Sequence, residues 1–126
     1  MEPMESRRRR VEFYQTAKGL KPFQEWLDGL KDREGRARIT VKVDRISLGN
    51  FGGAKSLGGA LHELKIDFGP GYRVYFADVA SAIVLLLCGG DKSTQVRDIE
   101  LAKEFLADYN KRTDSKRNHD EDKSKR

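Results

Sequence analysis

The chain has 126 residues, of which 37% are hydrophobic and 36% charged, with a formal net charge of +5. That length fits one domain with one core, and the longest apolar run, Ala82 to Cys88, is far below the roughly 20 residues needed to cross a bilayer. The start, MEPMESRRRR, lacks the apolar centre of a secretion signal, and the single cysteine, Cys88, excludes an intrachain disulfide framework. A soluble, cytoplasmic product with no membrane contact and a buried, reduced thiol is expected.

The charge is carried by the ends. Residues 1–10 hold four Arg and two Glu, and residues 111–126 hold seven Lys or Arg and four Asp or Glu, which leaves 14 of each sign between. Both ends lack the apolar side chains that offset the entropy of ordering, so the sequence predicts a mobile basic arm over 1–10, a domain over 11–110 and a disordered charged tail over 111–126. Within the domain, charge is polarised: Lys31 to Arg45 has six cations against three anions, and Asp98 to Asp108 has four anions against one cation.

In chain order, VEFYQT alternates like a short strand. Pro22 opens a helix over PFQEWLDGL, where Phe23, Trp26, Leu27 and Leu30 follow i, i+3, i+4, i+7. In REGRARITVKVDRISLGN, Ile39, Val41 and Val43 alternate, but Ile39, Val43 and Ile46 also obey helical spacing. Adding Ala37, Val41 and Leu48 to that side, with Arg38, Lys42 and Arg45 opposite and Gly49-Asn50 as a stop, favours a helix. A glycine-rich loop, GNFGGAKSLGG, precedes three strands at about Leu61 to Phe68, Tyr72 to Ala77 and Ala82 to Cys88, joined by Gly69-Pro70-Gly71 and by Asp78 to Ser81. STQVRDIELAKEFLADYN reads as a closing helix with Val96, Ile99, Ala102, Phe105 and Leu106 on one side. The expected architecture is α+β: a small antiparallel sheet, two helices from the first half of the chain packed on it, and a C-terminal helix.

Alternation sorts the polar residues of the meander. His62, Leu64, Ile66 and Phe68 share one face; Leu61, Glu63, Lys65 and Asp67 share the other. In the next strand Tyr72, Val74 and Phe76 lie together, opposite Arg73 and Tyr75. The hairpin at Gly69 to Gly71 therefore places Lys65 and Arg73 on one polar surface, which Lys92 reaches from the rim. Three such cations fit a phosphate or carboxylate, Arg offering a planar fork; the plainer reading is a half-exposed sheet that shows Lys and Arg to water or pairs them with Glu63 and Asp67.

The blocks PFQEWLDGL, RARITVKVDRISLGN, LHELKIDFGPGYRVYF and LLLCGGDKSTQVRDIELAKEF resemble the RelE/ParE superfamily of type II toxin–antitoxin toxins, and within it the HigB-like addiction module killer proteins. The similarity runs through residues 11–107, with GPGYRVYF and GGDKSTQ as its specific motifs. It implies a RelE-like microbial RNase-type fold and an mRNA interferase that cleaves in the ribosome without a metal ion or other cofactor. Arg73 then matches the arginine that relatives use on the phosphate, Lys65 a strand lysine of the same sites, and Lys92 the cation after the last strand. RelE-type enzymes place a tyrosine shortly after that cation, whereas STQVRDIE follows here. His62, Asp91 and Tyr75 remain the candidates for acid, base or base contact, and Arg38, Lys42 and Arg45 for RNA phosphates. The implied partners are the ribosome with its mRNA and an adjacently encoded, helix-turn-helix, HigA-like antitoxin, through which operator DNA is reached. A ParE-like inhibitor of DNA gyrase and a non-enzymatic nucleic-acid-binding module are the alternatives.

Overall fold

The computed structural model describes residues 8–80 and 82–124. Its elements are β1 (Arg10–Phe13), α1 (Pro22–Gly29), α2 (Arg33–Ser47), β2 (Ala54–Gly58), β3 (Leu61–Ile66), β4 (Tyr72–Val79), β5 (Ile83–Gly90), a 3₁₀ turn (Lys92–Thr94) and α3 (Gln95–Ser124). The five strands form one sheet in the order β1-β5-β4-β3-β2. The chain is thus α+β, with the meander β2 to β5 antiparallel as its alternation predicts. The sheet as a whole is mixed, because β1 pairs parallel with β5, Arg10 against Ile83 through Phe13 against Leu86.

Pro22 stands in the first turn of α1, where its missing N–H has no helical partner to lose. Asp32 caps α2, its carboxylate accepting the Gly35 N–H at 2.9 Å. These two helices cover one face of the sheet, where Phe23, Ile39, Ile46, Leu64, Ile66, Val74, Phe76, Val84 and Leu86 form the first core. Helix α3 covers the other, where Tyr14, Leu61, Tyr75, Ala77, Leu85, Leu87, Cys88 and Ala102 form the second. A strand flanked by helices on both sides is apolar at every position, and β5 is.

Several expectations are corrected. The glycine-rich loop contains β2, whose Ala54 to Ser56 pair with Leu64 to His62 before a bulge near Gly58; a short edge strand facing water needs few apolar residues. Ala37, Val41 and Leu48 do not join the core side of α2. They lie on its outer side, Val41 49% and Leu48 51% exposed, while Ile39 and Ile46 are buried. Val96 likewise leaves the apolar side of α3 and is 81% exposed. The final helix runs past Asn110 to Ser124. Arg112 secures its continuation, binding the Asp108 carboxylate at 2.6 Å one turn back and the Gln15 carbonyl on the segment after β1. Most of the arm, residues 1–7, lies outside the described residues; Arg9 is held through its N–H on the Ser47 carbonyl and its Nε on Asp78 at 3.1 Å.

Helix α1 reaches β5 through one close approach. Trp26 packs against Gly89, where an added methyl group would overlap its ring. Gly89→Ala is expected to lower stability by about 1–3 kcal/mol, since the ring must move out of a packed site. Urea unfolding of the two proteins measures this, and equal midpoints would show that α1 yields freely.

Candidate functional site

The polar groups of the second face meet at the end of the sheet where β3, β4 and β5 run into their loops. Lys65 and Arg73 are direct cross-strand partners, and Gly90 is opposite Arg73 on its other side. The chain then turns through Asp91 into Lys92–Thr94, which returns Lys92 toward the Gly69–Gly71 turn. Gly71 has φ +77°, a conformation that excludes most side chains, and an added Cβ there would sit 3.1 Å from Arg73 Nη1 and 3.7 Å from Lys92 Cβ. Arg73 and Lys92 are thus neighbours around a glycine that leaves room for both.

The surface carrying Arg73 is not the open one the sequence suggested. Arg73 is only 6% exposed, Glu63 6% and Tyr75 fully buried. Helix α3 lies over them, because its own apolar side needs this face. Arg73 donates from Nη1 to the Gly71 carbonyl at 2.6 Å, while its Nε is buried without any partner. Such an orphaned donor costs free energy unless something accepts from it. Lys65, by contrast, is exposed and forms an ion pair with Asp67 at 3.3 Å, a contact worth little in water.

Behind the cations stands a buried network that the sequence reading did not single out. Tyr75 donates to Glu63 Oε2 at 3.0 Å, and Gln95 Nε2, from the first residue of α3, donates to the same oxygen at 2.9 Å. Burial, and then the bond to Glu63, push the Tyr75 phenol well above its ordinary range. Asp98, 2% exposed, accepts from Thr94 Oγ1 at 2.5 Å. The signal for Glu63 was present in register: it is the residue directly opposite Tyr75 once the hairpin closes.

Of the three acid or base candidates, Asp91 and Tyr75 lie with Arg73, and of these two only Asp91 is not buried. Its carboxylate caps the 3₁₀ turn, accepting from Ser93 N at 2.8 Å and Ser93 Oγ at 2.5 Å. The Ser93 hydrogen bonds, with Arg73 nearby, hold its carboxyl below the usual range. His62 is on the opposite face, its ring stacked on Phe76 at 5.2 Å and its Nδ1 2.9 Å from the Ala60 carbonyl oxygen. Tyr75 shares the Arg73 face but is sealed under α3. Cys88 is buried and unpaired, its thiol pushed up to about 12 by burial and then by Asp98. Arg38, Lys42 and Arg45 line a separate groove with Lys65 at the sheet edge.

Together these features define a small α+β protein with a sheltered guanidinium and two lysines at one end of its sheet. The chain belongs to the same family as an uncharacterized protein of Haemophilus influenzae, with which it is 48% identical over 81 residues, 64% of this chain and 82% of that protein. No family model matches the chain. Among the described residues, no helix is long and apolar enough to cross a membrane.

Next to Arg73, Tyr72 points to the other face and donates to Asp32 Oδ2 at 2.7 Å, joining β4 to the start of α2. Burial, then the Asp32 carboxylate, push its phenol from 10.0 up to about 12. The folded state holds this proton more tightly, so the contribution is fully present below pH 10 and is lost as pH rises through about 12. Tyr72→Phe is expected to weaken the alkaline fall in stability over that range, read from urea midpoints at successive pH values. An unchanged slope would remove Tyr72 from the titration.

Proposed function

We propose that the chain is the toxin of a type II toxin–antitoxin module, with a RelE-like fold, and that it inhibits translation as a metal-independent endoribonuclease acting on ribosome-bound mRNA. The observation that carries this reading is Arg73: a buried guanidinium with a free Nε, next to Lys92 and across the strand from Lys65, inside the segment GPGYRVYF that resembles the family. A phosphate oxygen is an acceptor suited to such a donor.

In the reaction, a ribose 2′-oxygen forms a bond to the adjacent phosphorus as the bond to the 5′-oxygen breaks. One proton leaves the 2′-hydroxyl and one reaches the departing oxygen. Negative charge builds on the phosphoryl oxygens in between, and fixed cations at that point stabilise the transition state more than the substrate. Arg73 serves this role from a position that α3 shields from water, where its charge acts through a lower dielectric than at the open surface. Lys92 and Lys65 add charge from the rim, Lys65 by exchanging its bond to Asp67 for one to RNA. Asp91 sets the direction of the turn that carries Lys92. The partner that silences the protein is a cognate antitoxin.

Induced expression is expected to arrest growth and deplete intact translated mRNA. Arg73→Ala should reduce cleavage by about 100-fold or more, and Arg73→Lys, which keeps charge but loses the fork, should restore part of it. Melting curves of both variants separate this from unfolding. A folded Arg73→Ala protein that cleaves normally would end the proposal, and inhibition of gyrase supercoiling with mRNA intact would replace it with the ParE-like reading.

A further inference from the structure

Helix α2 carries two apolar sides, and only one meets the sheet. At about 100° per residue, Ala37, Val41 and Leu48 fall within one narrow stripe, turned away from Ile39 and Ile46. That second side is left in water, with Val41 49% exposed in the helix and Leu48, its C-cap, 51% exposed. Beside the stripe, β2 begins with Ala54 opposite Leu64, which leaves Lys65 and Ile66 as an unpaired backbone edge of β3. Between that edge and α2 lies a groove of about 500 Å³, with Ala37, Val41 and Ile66 among its walls and Arg38, Lys42, Arg45 and Lys65 along it.

The charges in the groove are unevenly answered. Arg38 is paired with Glu34 at 3.1 Å and lies over the Phe68 ring at 4.3 Å, and Lys65 is paired with Asp67. The Lys42 and Arg45 side chains have no ion-pair or hydrogen-bond partner among the described residues. We propose that this groove is the docking surface for an acidic, amphipathic segment of a partner protein. Its aliphatic side chains would rest on the exposed Ala37 and Val41, and its carboxylates would meet Lys42 and Arg45. An RNA strand would answer the cations alone: the Glu34 carboxylate beside Arg38 repels phosphates, and the exposed Ala37 and Val41 would stay in water. Charge and apolar surface are both satisfied only by a segment that carries both. The groove shares Lys65 with the Arg73 cluster, but the proposal turns on Lys42, Arg45 and Val41 of α2 and does not depend on RNA cleavage.

The test is panning of short random peptides displayed on phage against the purified full-length chain, with depletion on the Val41→Asp variant. The enriched peptides should combine Asp or Glu with Leu, Ile or Val. Their synthetic forms should bind about tenfold more weakly to Val41→Asp and to Lys42→Glu/Arg45→Glu, and more weakly as salt rises. Val41 and Arg45 are exposed and Lys42 half-buried, so melting curves are expected to match the parent. Three results would overturn the proposal: no enrichment beyond the depleted pool, or enriched peptides without acidic residues; single-stranded oligouridylate that loses about tenfold in affinity on Lys42→Glu/Arg45→Glu and displaces no peptide; or a chain that self-associates in sedimentation and ceases to do so in Val41→Asp.

Discussion

A carboxylate removed from water must be hydrogen bonded, and the way Glu63 meets that demand fixes the geometry of everything around it. One of its oxygens takes the Tyr75 hydroxyl from the neighbouring strand and the Gln95 amide from the first residue of α3. The first bond locks side chains across β3 and β4. The second ties the start of a long helix to the middle of the sheet. Because Gln95 follows directly on the Lys92–Thr94 turn, the same bond determines where Lys92 stands relative to Arg73. Remove it, and a buried charge is left short of partners at the point where the second core begins.

That second core explains why the cations are sheltered. Without α3, alternation alone would leave Arg73 and Tyr75 facing water, as half of an antiparallel sheet commonly does. The apolar side of α3, from Ile99 through Phe105 and Leu106, needs a surface of its own, and Leu85, Leu87 and Ala77 supply it. The helix therefore lies across the face on which Arg73 and Glu63 sit. Burial of Arg73 follows from the packing of its apolar neighbours, while Lys65, one strand nearer the edge, remains exposed.

Much of this was legible in the residues. The spacing of Phe23, Trp26 and Leu27 marks α1, and period-two alternation assigns each side chain of β3 and β4 to the correct face, including the separation of His62 from Arg73. What was not legible depends on which of two competing patterns wins. Helix α2 offers two overlapping apolar series; Ile39 and Ile46 face the sheet, and nothing in spacing alone tells them from Val41 and Leu48. β2 hides among glycines because an edge strand is held by backbone bonds more than by its side chains. Burial of Arg73 was missed because a strand pattern gives faces but does not say what covers them.

The parallel pairing of β1 with β5 sets an order of events during synthesis. The first strand has no partner until the last one exists, since Arg10 lies against Ile83 and Phe13 against Leu86. The second core likewise waits for α3. Non-local pairing of this kind delays folding until most of the chain is available. A nascent chain still missing β5 has neither Gly90 nor the turn beyond it, so Arg73 has no Lys92 beside it. The cluster comes into existence only once the chain has been made past Lys92.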